Sequence, residues 1–170
     1  MSDQAPAILF EPLHEGVKAP TRATEQSAGY DLRAYLRGRT VRFCRGAKGE
    51  TYERQVAEDE AGIVLQPGER ALIPMGFRAR LPDGYEAQIR IRSSAAFRKG
   101  LVLPNAPGTI DADYPDEWLV MIRNDSGEEV MLEHGERVAQ VVLKRYEVLA
   151  WEEGRVGRNT GRVGGVGSTG

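Results

Sequence analysis

The sequence is poor in the residues that staple or metallate small proteins. It has one cysteine, Cys44, and two histidines, His14 and His134. A single thiol closes no internal disulfide, and this set is a poor kit for zinc. No apolar run approaches the roughly 18 residues of a membrane-spanning helix. The first residues, Met1-Ser2-Asp3-Gln4-Ala5-Pro6, lack the basic and apolar blocks of a secretory leader. Neither sign of charge dominates: 23 Lys and Arg face 25 Asp and Glu, a net charge of −2. Nothing global attracts a polyanion, so direct nucleic-acid binding is not expected. At 170 residues, the chain has the length of about one domain. With 41% hydrophobic residues, it can bury a core and is not globally disordered. These exclusions leave a soluble, cytoplasmic, single-domain protein with no membrane association as the expectation.

What the sequence has in abundance is glycine and proline, 20 and 9 respectively. Turn signals stand at Pro67-Gly68, Pro82-Asp83-Gly84, Pro107-Gly108, Asp125-Ser126-Gly127 and His134-Gly135. Short apolar or alternating runs lie between them. From Tyr85 to Arg92, residues Tyr85, Ala87, Ile89 and Ile91 share one face, the period of a half-buried strand. Ala71–Ile73, Leu119–Ile122 and Val138–Leu143 read as further strands. Closely spaced strands with few long helices predict an all-β sandwich or barrel. One helix of about two turns follows Arg92, with Ser93 or Ser94 placed to cap it and Gly100 to end it.

Two stretches break this pattern. Residues 37–62 are polar, with Arg37, Arg39, Arg42, Arg45 and Lys48 followed by Glu58-Asp59-Glu60. They read as an inserted hairpin or long loop, either a solvated excursion or a partner-binding arm. From Gly154 to Gly170 there are seven glycines, three arginines (Arg155, Arg158, Arg162) and no acid. That segment has no core residues of its own and is expected to be mobile, either as a plain tail or as a phosphate-cradling flap. The domain is therefore expected over 1–153, with an arm over 154–170.

Several side chains carry chemical potential. Arg92, Ser93 and Ser94 bring a guanidinium and two hydroxyls to the start of a helix, a donor set suited to phosphate oxygens. A bland reading makes Ser93 a cap and Arg92 a surface residue. In Pro104–Tyr114, prolines and Gly108 make a rigid turn, and Asn105 offers a donor and an acceptor to the amide-like edge of a nucleobase. Asp111 and Asp113 project together, able to take a proton from water or help hold a cation, or else are solvated turn aspartates. Tyr114 can lay its ring on a sugar or base. Asp31 is a lone acid in the strand-like run Ala28–Ala34, and Gln140 an inward amide in Gly135–Gln140.

Taken in order, these segments resemble the five motifs of the trimeric dUTPase (dUTP diphosphatase) family. The matching stretches are Ala28–Ala34, Arg92–Gly100, Asn105–Tyr114, Gly135–Gln140 and Gly164–Gly170. The resemblance implies a jelly-roll-like β-barrel assembling as a homotrimer, each site drawing on three subunits. One would give Asp31, Arg92, Ser93, Ser94 and Gln140; a second the hairpin with Asn105, Gly108, Thr109, Ile110, Asp111 and Tyr114; a third the arm. It implies that Asp111 activates the water that attacks the α-phosphorus of dUTP, releasing dUMP and pyrophosphate. Such an activity limits uracil in DNA and supplies dUMP for thymidylate synthesis. Asn105 and its neighbouring backbone would read uracil, and Tyr114 would leave no room for a 2′-hydroxyl. Mg2+ would bridge the triphosphate with Asp31 close by. Arg158 or Arg162, with Val166, Gly167 and Ser168, would close the site. Val166 stands where the family usually has phenylalanine, Gly161 where it has the arm arginine, and Asp116 where glycine is frequent.

Two other readings start from the same residues. A dCTP deaminase resembles the dUTPases in fold, but needs a glutamate on the strand after the aspartate hairpin, and Met121 stands near that position. A regulatory role through the 37–62 insertion would not need Asp111 or Tyr114, so catalysis is expected even if a partner exists.

Overall fold

A computed structural model describes residues 6–158 and residue 161. Fourteen strands and one helix are formed among them. The strands are β1 (Leu9–Pro12), β2 (Thr21–Arg22), β3 (Gly29–Arg33), β4 (Thr40–Arg45), β5 (Glu50–Gln55), β6 (Gly62–Leu65) and β7 (Arg70–Pro74). After these come β8 (Phe77–Arg80), β9 (Tyr85–Ile91), the helix α1 (Ser93–Lys99), β10 (Leu101–Val102) and β11 (Gly108–Ile110). The last three are β12 (Leu119–Asn124), β13 (Val130–Glu133) and β14 (Arg137–Arg145).

The strands pair in four antiparallel sheets. Two have five strands, in the orders β10-β12-β7-β4-β5 and β11-β9-β14-β3-β2; the pairs β1-β8 and β13-β6 are separate. Hydrogen bonding therefore does not run unbroken around a closed barrel, and the all-β jelly-roll arrangement is built from packed sheets. Alternation explains the packing. Ala87 and Ile89 of β9 and Ala139 and Val141 of β14 point inward, as do Ile73 of β7 and Val120 and Ile122 of β12. Together they enter one buried cluster, which removes apolar surface from water at ~25 cal/mol per Å2.

The polar stretch from 37 to 62 hides a hairpin. Strand β4 pairs with β5 and, through Arg42, Phe43 and Cys44, with β7. Its alternate residues Val41 and Phe43, and Val56 beyond β5, are buried. The interleaved arginines mask that alternation in the sequence. At the base of the hairpin, buried Glu69 accepts hydrogen bonds from Arg45 Nε and the Tyr52 hydroxyl, each at 2.5 Å, and from the Gln66 amide at 3.0 Å. Burial raises the Glu69 carboxyl, but these donors outweigh it and hold the carboxyl below its ordinary range.

The helix differs from expectation at its start. Arg92 occupies the cap position with extended backbone, φ −74° and ψ 140°, and no side chain caps the helix. Ser93 and Ser94 are already helical, because the cap position continues the extended course of β9. Their hydroxyls are thus exposed and not engaged in capping. Gly100 does end the helix left-handed, at φ 62°. A Cβ there would lie 2.9 Å from that of Ser126, which adds crowding to the backbone strain.

Candidate functional site

The predicted residues fall into two groups along one sheet. The first lies where β3, β14 and the end of β9 run side by side. Gln140 is the ladder partner of Asp31 on one edge of β14 and of Arg90 on the other. Directly opposed residues share a face, so Asp31 and Gln140 stand together, with Arg92 at the end of the adjoining strand. The Gln140 side chain lies across Gly29, and a Cβ at Gly29 would overlap its amide oxygen. Asp31 is mostly buried. Its Oδ1 forms an ion pair with Arg92 Nε at 3.0 Å, and its Oδ2 accepts a hydrogen bond from Arg137 Nη1 at 3.0 Å. Ser93 and Ser94 are exposed just beyond Arg92.

The second group is the hairpin from Leu103 to Tyr114. Strand β11 pairs with β9 on one side only, Gly108 opposite Ile89 and Ile110 opposite Ala87. As an edge strand it leaves alternate backbone N–H and C=O groups without a ladder partner. Asn105, Gly108, Thr109 and Ile110 line a cavity of about 40 Å3 with Ile89, Leu103 and Met121. A Cβ at Gly108 would sit 3.3 Å from the Ile89 Cβ and 3.4 Å from Asn105 Nδ2, so glycine permits this close turn. None of the residues lining the cavity is titratable, and Met121 is on β12, the strand after the aspartates.

Asp111, Asp113 and Tyr114 face another space, an open cleft of about 860 Å3 shared with Glu11, Arg78 and Asp83. Both aspartates are exposed. Tyr114 is half-buried against the core, and its hydroxyl donates to the Glu117 carbonyl at 3.3 Å. Burial, with Asp116 and Glu117 nearby, pushes the phenol above its usual range.

Asp111 and Arg92 do not meet within one chain. Asp111 follows Ile110, which faces Ala87 near the start of β9, whereas Arg92 follows its last residue, Ile91. At about 3.3 Å per strand residue, that offset is roughly 20 Å. Arg158 is exposed. The predicted Arg162, Val166, Gly167 and Ser168 lie outside the described residues.

Among the described residues no cluster of three or more His, Cys, Asp or Glu forms a cation cage. Both oxygens of Asp31 are taken by guanidinium groups. This donor set fits Mg2+ only as an ion held mainly by phosphate oxygens and water, a common mode for it. No helix among the described residues is long and apolar enough to cross a membrane. Sequence reasoning missed Arg137, whose strand position gave no reason to place it beside Asp31.

Comparison with known proteins places the chain in a family. Residues 7–146 match the model of a family described as dCTP deaminase-like, which defines the class. Deoxyuridine 5'-triphosphate nucleotidohydrolase of Rickettsia felis is 40% identical over 152 residues, 89% of this chain and 87% of the relative. The enzyme of that name from Rhizobium leguminosarum is 36% identical over 157 residues, 92% and 87% of the two chains. Within its class, the chain belongs to the deoxyuridine 5'-triphosphate nucleotidohydrolase (dUTPase) family. The crystal structure of dUTPase from Streptococcus mutans superposes with a TM-score of 0.63 at 25% identity, over 84% of this chain and 98% of that one. A phage 80α dUTPase shares the fold with a TM-score of 0.72 at 21% identity, over 97% and 99%.

Proposed function

We propose that the protein hydrolyses dUTP to dUMP and pyrophosphate at sites shared between copies of the chain. The observation that carries the substrate reading is the hairpin edge around β11, at the mouth of the small cavity there. The cavity's polar border is Asn105 and an unpaired strand edge, complementary to the alternating donor and acceptors of uracil. Its lining holds Met121 and no carboxylate. A thioether cannot move protons at a cytosine ring, so deamination is disfavoured although the matched family model is described by that activity.

In this reading Tyr114 packs against the deoxyribose and excludes a 2′-hydroxyl. Arg92, Ser93, Ser94 and Gln140 of a neighbouring copy hold the phosphates. Asp111 takes a proton from water as the water oxygen bonds to the α-phosphorus. The bond from that phosphorus to the bridging oxygen breaks, and pyrophosphate leaves with the electron pair. Bound to the triphosphate, Mg2+ would neutralise charge that grows in this step. The roughly 20 Å between Asp111 and Arg92 along β9 supports a site completed by another copy. So does the segment after β14, where Val148, Leu149, Trp151 and Val156 are almost fully exposed, an apolar series that needs a partner to bury it. A homotrimer satisfies both, with Arg158 or Arg162 of a third copy closing over the phosphates and Val166, Gly167 and Ser168 over the base. The setting is cytoplasmic, where the dUMP formed serves thymidylate synthesis and less uracil enters DNA.

A nucleotide panel with Mg2+ tests the reading. Pyrophosphate is expected from dUTP and not from dCTP, dTTP or UTP. Uracil nucleotide formed from dCTP, or equal turnover of UTP, would overturn it.

A further inference from the structure

Asp31 holds two cations, and only one of them was legible as part of the site. We propose that Asp31 is a positioning residue that clamps Arg92 and Arg137 into a paired-guanidinium site, and that Arg137 binds the polyphosphate tail of the substrate. The identity of the substrate rests on the dUTPase reading; the anion site rests on geometry alone.

The sequence pattern argues against Arg137 lying here. In a regular strand, side chains alternate, so Arg137 and Gln140, three positions apart, point to opposite faces. The ladder shows otherwise. Arg137 pairs with Arg33, Ala139 with Leu32 and Gln140 with Asp31. Strand β14 advances two residues where β3 advances one, which is a β-bulge. A bulge reverses the alternation and re-aims a side chain. It places Arg137 on the face of β3 that carries Arg33 and Asp31, hence also on the face of Gln140. The consecutive residues Val138 and Ala139 are both fully buried, as a bulge allows and a regular two-faced strand does not.

The resulting contacts leave donors over. Arg137 reaches Asp31 through Nη1, and Arg92 through Nε, with Arg92 Nη1 donating to the Arg137 carbonyl at 3.4 Å. Each guanidinium has five N–H groups. The Arg137 side chain is 43% exposed and that of Arg92 24%, against 15% for Asp31, so the free donors face solvent and the carboxylate lies beneath them. Nearby charges do not cancel the site: Arg33 donates to the Gly135 carbonyl, Arg90 to the Gln88 amide oxygen, and Glu136 is paired with Lys99. Two guanidinium groups around one carboxylate carry a surplus positive charge, and their mutual repulsion is relieved when an anion arrives. Two planar forks side by side suit successive phosphates of a chain better than a single phosphate.

Calorimetric titration of the full chain with inorganic tripolyphosphate, α,β-imido-dUTP and dUMP tests this. Arg137→Met should weaken tripolyphosphate and imido-dUTP by about ten- to a hundredfold, the range for a hydrogen bond between charged groups. Binding of dUMP and the melting temperature should stay as in the wild type, and Arg137→Lys should recover part of the loss. Asp31→Asn should raise KM for dUTP more than it lowers kcat, because it frees two binding groups and leaves the base in place. Wild-type affinity for tripolyphosphate in Arg137→Met overturns the proposal. So does a loss of dUMP binding in step with a lower melting temperature, which marks a merely structural pair. If tripolyphosphate binds through Arg137 but no deoxyuridine nucleotide binds, the anion site stands and the dUTPase reading fails.

Discussion

His134 holds the base of the 37–62 hairpin to the turn that carries Arg137, and its removal has a calculable cost. Its Nδ1 accepts hydrogen bonds from the backbone amides of Leu36 at 3.0 Å and Arg37 at 3.1 Å. Its own amide donates to the Ala61 carbonyl at 2.8 Å, so one residue ties both ends of the hairpin. The next residue, Gly135, donates to the Ala34 carbonyl. His134→Phe keeps an aromatic ring beside Tyr35 but removes the acceptor. Arg37 is exposed and its amide can turn to water; Leu36 is fully buried, and its N–H is orphaned. An unmet buried donor costs about 1–3 kcal/mol, and for a chain of this size each kcal/mol lowers Tm by about 2–4 °C. A fall of about 2–12 °C is therefore expected at a fixed protein concentration. The effect also has a sign in pH. Burial, and then Arg37, hold the imidazole below its ordinary value, with Glu58 opposing weakly. A depressed histidine contributes its stability fully above the unfolded value of about 6.5 and loses it as pH falls below that through the folded value. The Tm gap between wild type and His134→Phe should thus narrow as the pH is lowered from about 7.5 to about 5. Thermal melts of both proteins across that range are the assay. A gap that stays constant with pH, or a variant as stable as wild type at neutral pH, would refute the reasoning.

Two further variants separate chemistry from architecture. Asp111→Asn should bind α,β-imido-dUTP as the wild type does while kcat falls by about 10^2–10^4, the range for losing a general base; near-normal turnover would remove Asp111 from that role. Gly29→Ala should displace the Gln140 side chain lying across it, raising KM for dUTP with little change in far-ultraviolet circular dichroism; an unchanged KM would show that Gln140 does not depend on this contact.

Much of this architecture is legible in the amino-acid sequence. Strand β9 was legible because Ala87 and Ile89 alternate with Gln88 and Arg90, and the first pair is buried. The left-handed Gly100 followed from the same logic of local chemistry. Strand β4 was obscured because Arg42 and Arg45 swamp Val41 and Phe43 in any average of polarity, although the two apolar residues are what the core receives. The serine cap failed because cap identity depends on where the strand stops bending, a tertiary matter. Arg137 was hidden by the bulge, since one unpaired residue inverts the face of everything before it and leaves no mark in composition. Asp31 read as an acid near a metal; its two guanidinium partners come from strands remote in sequence, and no local pattern announces them.

The claim on which the account turns is that Asp111 and Arg92 of different chains serve one site. Asp111→Asn and Arg92→Ala are each expected to be nearly inactive alone, and mixing them by joint unfolding and refolding measures the claim directly. If the groups act across chains, random assembly puts both intact residues into about one site in four, and dUTP hydrolysis should return to about a quarter of wild type. If mixed assemblies form and remain as inactive as the parents, each site lies within one chain and the account is wrong.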